Sequence, residues 1–126
     1  MNENELAEII IGAAIEVHSI LGPGLLESAY EKALIFELNA GGLLIESQKI
    51  IPIQYKELLI NEGFRSDIIV NDIIILELKS VKAIESVHCK QLLMYLKLTN
   101  KKLGLLINFN EVLLKNGIKR IINGSI

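Results

Sequence analysis

Phe64-Arg65-Ser66-Asp67-Ile68-Ile69-Val70-Asn71-Asp72-Ile73-Ile74-Ile75-Leu76-Glu77-Leu78-Lys79 decides how the chain is read. Two β-branched apolar runs flank an Asn-Asp pair, which predicts a hairpin whose strands are covered on both faces. Strands of that kind should be poor in charge, yet Asp67, Glu77 and Lys79 lie within them. With a period of two, Glu77 and Lys79 leave one face while Leu78 leaves the other. Burying ions without partners costs several kcal/mol each, so this placement needs a reason.

The connection sets the geometry of any site. A two-residue Asn71-Asp72 loop pairs Val70 with Ile73 and Asp67 with Leu76, which sends Asp67 and Glu77 to opposite faces. A three-residue connection, or a bulge, pairs Asp67 with Glu77 instead. The unbroken apolar runs do not choose between them.

Working outward, apolar residues at Leu6, Ile10, Ala13, Val17 and Ile20 predict an amphipathic helix from about Asn4 to Leu21, with His18 at the core edge and satisfied by a neighbour. Gly22-Pro23-Gly24 breaks it, and a second helix follows to Ala40, ending at Gly41-Gly42. Glu27 falls in the first turn of this helix, where the helix N-terminus favours a carboxylate.

Leu44 to Lys56 reads as an edge or interrupted strand because Pro52 cannot donate to a ladder. Lys56-Glu57 turns the chain back, and Gly63 marks a bend or bulge before Asp67. Beyond Lys79 a helix from Ile84 to Thr99 is expected, capped by Asn100, with Ile84, Val87, Gln91, Met94, Tyr95 and Leu98 facing inward. Lys90, Lys97 and Lys101 form an adjacent stripe, which reads as a solvated face or as a substrate-facing one. Leu103 to Phe109 is a buried strand reached by a parallel crossover, and Asn116-Gly117 predicts a tight C-terminal hairpin within Val112 to Ile122.

The totals set bounds. A chain of 126 residues with 51% apolar side chains can bury a core as one domain, residues 1–126. The lone Cys89 forms no internal disulfide, which suits a reducing, cytoplasmic setting. The acidic start Met1-Asn2-Glu3-Asn4-Glu5 lacks the positive region of a secretory signal, and no apolar run nears the ~20 residues that span a bilayer, so no membrane partner is expected. A net charge of −2 gives no global attraction to a polyanion, so any nucleic-acid contact has to be local.

Asp67 on one strand followed by Glu77-Leu78-Lys79 on the next resembles the signature of the PD-(D/E)XK nuclease superfamily. Gly22-Pro23-Gly24-Leu25-Leu26-Glu27-Ser28-Ala29-Tyr30 is similar to the signature of its small GxxExxY branch, with Gly24, Glu27 and Tyr30 in the named positions, and the likeness extends from about Ile9 to Ile122. The resemblance implies a restriction-endonuclease-like α/β fold: two N-terminal helices, a mixed central sheet with a meander, one crossover helix and a C-terminal hairpin. It implies a metal-dependent phosphodiester hydrolase in which Asp67, Glu77 and the main-chain carbonyl of Leu78 hold magnesium, or manganese, and Lys79 orients the attacking water.

Glu27 is a candidate further metal ligand. Gln91 and Tyr95 resemble a Gln-x-x-x-Tyr element of one nuclease branch and, with Tyr30, Lys90 and Lys97, are candidate substrate contacts. The implied substrate is nucleic acid, DNA before RNA. Two like charges ~4 Å apart repel by roughly 4 kcal/mol at an effective dielectric of 20, so paired carboxylates favour a divalent ion over a merely structural cluster. A catalytically silent binding or accessory module on the same fold, and a homo-oligomeric structural protein with an apolar edge, are the alternative readings.

Overall fold

The computed structural model describes residues 1–126. Asn2 starts the first helix, α1 (Glu3–Leu21), by a reciprocal cap: its side-chain oxygen accepts the Glu5 N–H at 2.8 Å and the Glu5 carboxylate accepts the Asn2 N–H at 3.1 Å. Leu6, Ala7, Ile10, Ala14 and Val17 then face inward. Ala13 packs partly buried beside fully buried Ala14, while Ile20, just before the Gly22 break, is exposed. His18 is nearly buried, and its Nε2 donates to the Glu111 carbonyl at 2.7 Å, as a core-edge histidine should.

Helix α2 (Glu27–Ala40) packs beside α1 through Tyr30, Leu34 and Leu38. Five strands follow: β1 (Ile45–Tyr55), β2 (Leu58–Val70), β3 (Ile74–Lys79), β4 (Leu103–Asn108) and β5 (Ile118–Ile122), with α3 (Ser86–Thr99) between β3 and β4. They form one sheet in the order β1-β2-β3-β4-β5, with β3 and β4 parallel and the other pairs antiparallel. This is the expected α/β architecture, a meander followed by a helical crossover.

Helices α1 and α2 cover one face of the sheet, over Ile68, Val70, Ile74, Leu76, Leu78, Leu105 and Ile107. Helix α3 covers the other, over Ile51, Ile69, Ile75 and Leu106. Burying each such side chain contributes about 1.5–3 kcal/mol, so the central strands are fixed from both sides. β1 is an edge strand, and its pairing with β2 shifts between Ile51 and Ile53, at Pro52. The three residues Asn61 to Gly63 bulge opposite it, within a strand that runs unbroken through Gly63.

Two expectations need correction. Helix α3 turns Leu92 and Leu96 into the core, while Val87, Met94 and Leu98 are exposed. Apolar residues lie on every side of this helix, so its periodicity does not fix the buried face; packing on Ile69, Ile75 and Leu106 does. Nor does Asn116-Gly117 make a tight hairpin. It lies in a 3-10 turn, Leu114–Gly117, within the longer connection from β4 to β5. Gly117 is required by close approach: a Cβ there would sit 2.5 Å from the Asn108 carbonyl oxygen.

Candidate active site

The β2–β3 connection settles the register. Asn71 and Asp72 take left-handed backbones (φ 52° and 55°), and the Ile73 N–H closes the turn on the Val70 carbonyl at 2.9 Å. Ile73 is then an extra residue, since the ladder pairs Val70 with Ile74, Ile69 with Ile75 and Ile68 with Leu76. Asp67 and Glu77 are next in line, as a three-residue connection requires.

At that point carboxylates replace the ladder. The Asp67 N–H donates to Glu77 Oε2 at 3.1 Å, and the Leu78 N–H donates to Asp67 Oδ2 at 2.9 Å. The two acids therefore converge where the strands part.

No basic side chain forms an ion pair with either acid. Glu77 is 8% exposed, and its carboxyl is pushed up to about 9 by burial first, then by the Asp67 charge and hydrogen bond, against a smaller opposing effect of Lys79. Lys79 is half-buried and forms no ion pair; the chain's ion pairs are Glu46–Lys49 at 3.0 Å and Asp72–Lys101 at 2.9 Å. The strand end that carries Lys79 is fixed, because its carbonyl accepts the Phe109 N–H at 2.9 Å. Buried Asn108 holds the segment beyond, donating to the Val81 carbonyl at 2.9 Å and accepting the Val81 N–H at 3.1 Å.

The loop before α2 brings a third acid to the same place. Gly24 has φ +100°, a conformation L side chains rarely adopt, and lets the chain turn into the helix. The Tyr30 hydroxyl donates to the Gly22 carbonyl at 2.6 Å and accepts the Leu25 N–H at 3.0 Å, while its ring stacks on Phe109 with centroids 4.5 Å apart. Tyr30 is fully buried, so the expected substrate contact is corrected: it clamps the loop that delivers Glu27. Glu27 Oε2 accepts the Ser80 N–H at 3.4 Å, and Ser80 Oγ donates to the Leu25 carbonyl at 2.7 Å, tying this loop to the residue after Lys79.

Glu27, Ser28, Glu31, Gln48, Asp67 and Leu78 line one open cleft. The cleft thus carries carboxylate and carbonyl oxygens, the hard donor type that magnesium takes. No three acidic, histidine or cysteine side chains enclose an ion as they stand, and Glu27 reaches Ser80 instead.

The α3 candidates separate. Tyr95 is half-buried and stacks on Phe64 with centroids 3.5 Å apart; its hydroxyl is raised by burial and then by the Glu77 and Asp67 charges, which places it within electrostatic reach of the acids. Gln91 is exposed rather than inward-facing, because Leu92 occupies the core position. Lys90 and Lys97 are exposed, with Lys97 in the last turn of α3, which leads to the β4 end remote from Lys79. Lys101 lies beyond the helix and is spent on Asp72.

Two residues of the cleft, Glu31 and Gln48, have no counterpart in the reading of the sequence. Gln48 Nε2 donates to Glu31 Oε1 at 2.7 Å, and Gln48 has φ 53° inside β1. Burial pushes the Glu31 carboxyl up, the Asp67 charge adds to this, and the Gln48 hydrogen bond opposes it. A glutamine in a strand sequence carries no signal of a left-handed backbone, so nothing pointed to it.

No helix is long and apolar enough to cross a membrane. No curated protein and no solved structure matches the chain. A family model does: that of the PD-(D/E)XK nuclease superfamily, over residues 4–121.

Proposed function

The chain belongs to the PD-(D/E)XK nuclease superfamily, and from that premise we propose that it is a metal-dependent phosphodiester hydrolase acting on nucleic acid, DNA before RNA. Nucleases of this superfamily generally use divalent metal ions. The observation that carries the reading is the exchange of contacts between Asp67 and the Glu77-Leu78 segment at the parting of β2 and β3, two residues before Lys79.

Asp67 and Glu77, with the main-chain carbonyl of Leu78, would be the oxygen donors for magnesium, or manganese, and Glu27 would be a further donor once released from Ser80. A bound divalent ion would neutralise charge on the scissile phosphate and make a coordinated water more acidic. The residues themselves have three tasks. Glu77 would release its proton to the medium as a divalent ion bound, and the ion would offset the repulsion from Asp67 that this release creates. Lys79, not engaged by any carboxylate, presents its ammonium to the attacking water and holds it in line. The Tyr30 clamp keeps Glu27 at the cleft wall. Tyr95 and Gln91 form the α3 rim toward the substrate strand, with Lys90 and Lys97 as outlying phosphate contacts.

The reading extends to the GxxExxY branch, supported by the distinct tasks of Gly24, Glu27 and Tyr30, and takes residues 1–126 as one catalytic unit in a reducing cytoplasm. It is tested by incubating the full chain with single- and double-stranded DNA and with RNA, in magnesium, manganese and chelator. Ion-dependent cleavage that Lys79→Ala abolishes supports it. Binding without turnover in either metal overturns it in favour of a silent module.

A further inference from the structure

Residue alternation along β1 and β2 contains a break that the fold alone does not require. Ile45 packs against the α1–α2 layer and Ile51 against α3, although strict alternation puts both on one face. The partner strand does the same: Ile68 and Val70 face the α1–α2 layer, while Phe64 faces α3. Each strand therefore changes face once, within the same short interval.

Gln48 and Asp67 lie in that interval, opposite each other. Ser47 pairs with Ile68 and Lys49 with Ser66, but Gln48 and Asp67 do not pair between them. Gln48 is the residue of positive φ between Ile45 and Ile51. A left-handed glutamine in a strand is unfavourable and persists where its surroundings over-determine it. Here the surroundings include a charge-assisted bond from its amide to Glu31 on α2, at 2.7 Å, at the mouth of the Asp67 cleft.

From this juxtaposition we infer that Gln48 is a positioning residue: its left-handed backbone, held by Glu31, releases β1 from β2 at Asp67 and turns the Asp67 carboxylate toward Leu78 and the cleft. The inference rests on the reading of Asp67 as a metal ligand. With an ordinary extended residue at 48, the ladder closes through Asp67, and the carboxylate follows the alternation of its strand. Glu31 is the second member of the device, because its bond to the amide ties the strand to the same helix that carries Glu27.

The test is the Mn2+ dissociation constant of the full chain, measured by electron paramagnetic resonance at neutral pH, for wild type, Gln48→Gly and Gln48→Ala. Both variants lose the amide; they differ in access to a left-handed backbone. Gln48→Gly should bind within about threefold of wild type and Gln48→Ala about tenfold more weakly. Should the alanine variant fail to fold, Gln48→Asn and Gln48→Thr make the same comparison, since asparagine accepts positive φ and threonine does not. Equal affinity of the two members of either pair overturns the assignment of Gln48 and leaves the metal site standing. Absence of Mn2+ binding in the wild type removes instead the reading on which the assignment rests.

Discussion

The β2–β3 hairpin carries acids at both ends, and the two ends behave in opposite ways. At the closed end Asp72 is exposed and joined to Lys101 at 2.9 Å; that hydrogen bond and charge hold its carboxyl below the ordinary value. At the open end Asp67 and Glu77 face each other, Lys79 pairs with neither, and Glu77 is driven up to about 9. The same residue types, a few residues apart, make a finished ion pair in one place and an unfinished cluster in the other. A structural salt bridge in this hairpin looks like Asp72–Lys101. The open end, with no ion pair for Asp67, Glu77 or Lys79, is where the proposed metal site would lie.

The contrast is broken most forcefully through activity. Lys79→Ala should lower ion-dependent cleavage by about 100-fold or more with the fold retained, since misplacing a reacting group can cost about that much. Lys101→Ala should leave the cleavage rate near wild type. Single-turnover assays on both variants check this, and comparable losses would erase the distinction between the two ends.

Stability against pH sharpens it next. Folded Glu77 keeps its proton to about pH 9, against an ordinary value of 4.5, so between those values the folded chain binds a proton that the unfolded chain has released. Metal-free stability should therefore fall as pH rises from 4.5 toward 9. Glu77→Gln removes this dependence and should stabilise the metal-free chain by up to about 3 kcal/mol at pH 7. Urea unfolding at several pH values measures the effect; a destabilised, still pH-dependent variant would contradict it.

The loop clamp comes third. Tyr30→Phe keeps the stack on Phe109 but strips the Gly22 carbonyl and Leu25 N–H of their partner, at a cost of about 1–3 kcal/mol in thermal or urea unfolding. Mn2+ binding should weaken modestly with it as Glu27 loses its fixed place. An unchanged midpoint would mean that these two hydrogen bonds do not hold the loop.

How far such a contrast can be read from sequence depends on the signal each residue leaves. Asp67, Glu77 and Lys79 stand out because charge interrupts β-branched runs, and Pro52 and Gly63 announce the disturbance at the β1 edge. The register does not stand out: it is fixed by Ile73 acting as an extra residue after the Asn71-Asp72 turn, and apolar runs on both faces tolerate either pairing. Helix α3 was ambiguous for the same reason, with Val87, Met94 and Leu98 as apolar as Leu92 and Leu96. Tyr30 misleads because a tyrosine near a candidate acid reads as a ligand contact, whereas its hydroxyl completes a loop's hydrogen bonds. Gln48 and Glu31 are silent, since a local backbone inversion joins them across elements.

The smallest effect belongs to the closed end itself. Asp72→Asn should move the unfolding midpoint only slightly at neutral pH, and the difference should vanish as pH falls below the ordinary carboxylate range, where Asp72 loses its charge. A large shift would mean that this exposed pair, and not packing, holds the hairpin closed.

The two ends are compared most directly by Mn2+ binding to the full chain, followed by electron paramagnetic resonance in wild type, Asp67→Asn, Glu77→Gln and Asp72→Asn. Saturable binding that Asp67→Asn and Glu77→Gln abolish and Asp72→Asn leaves intact is the expected result. Binding that survives loss of both Asp67 and Glu77, or a wild type that takes up no ion at saturating Mn2+, would contradict the assignment of the open end as the metal site.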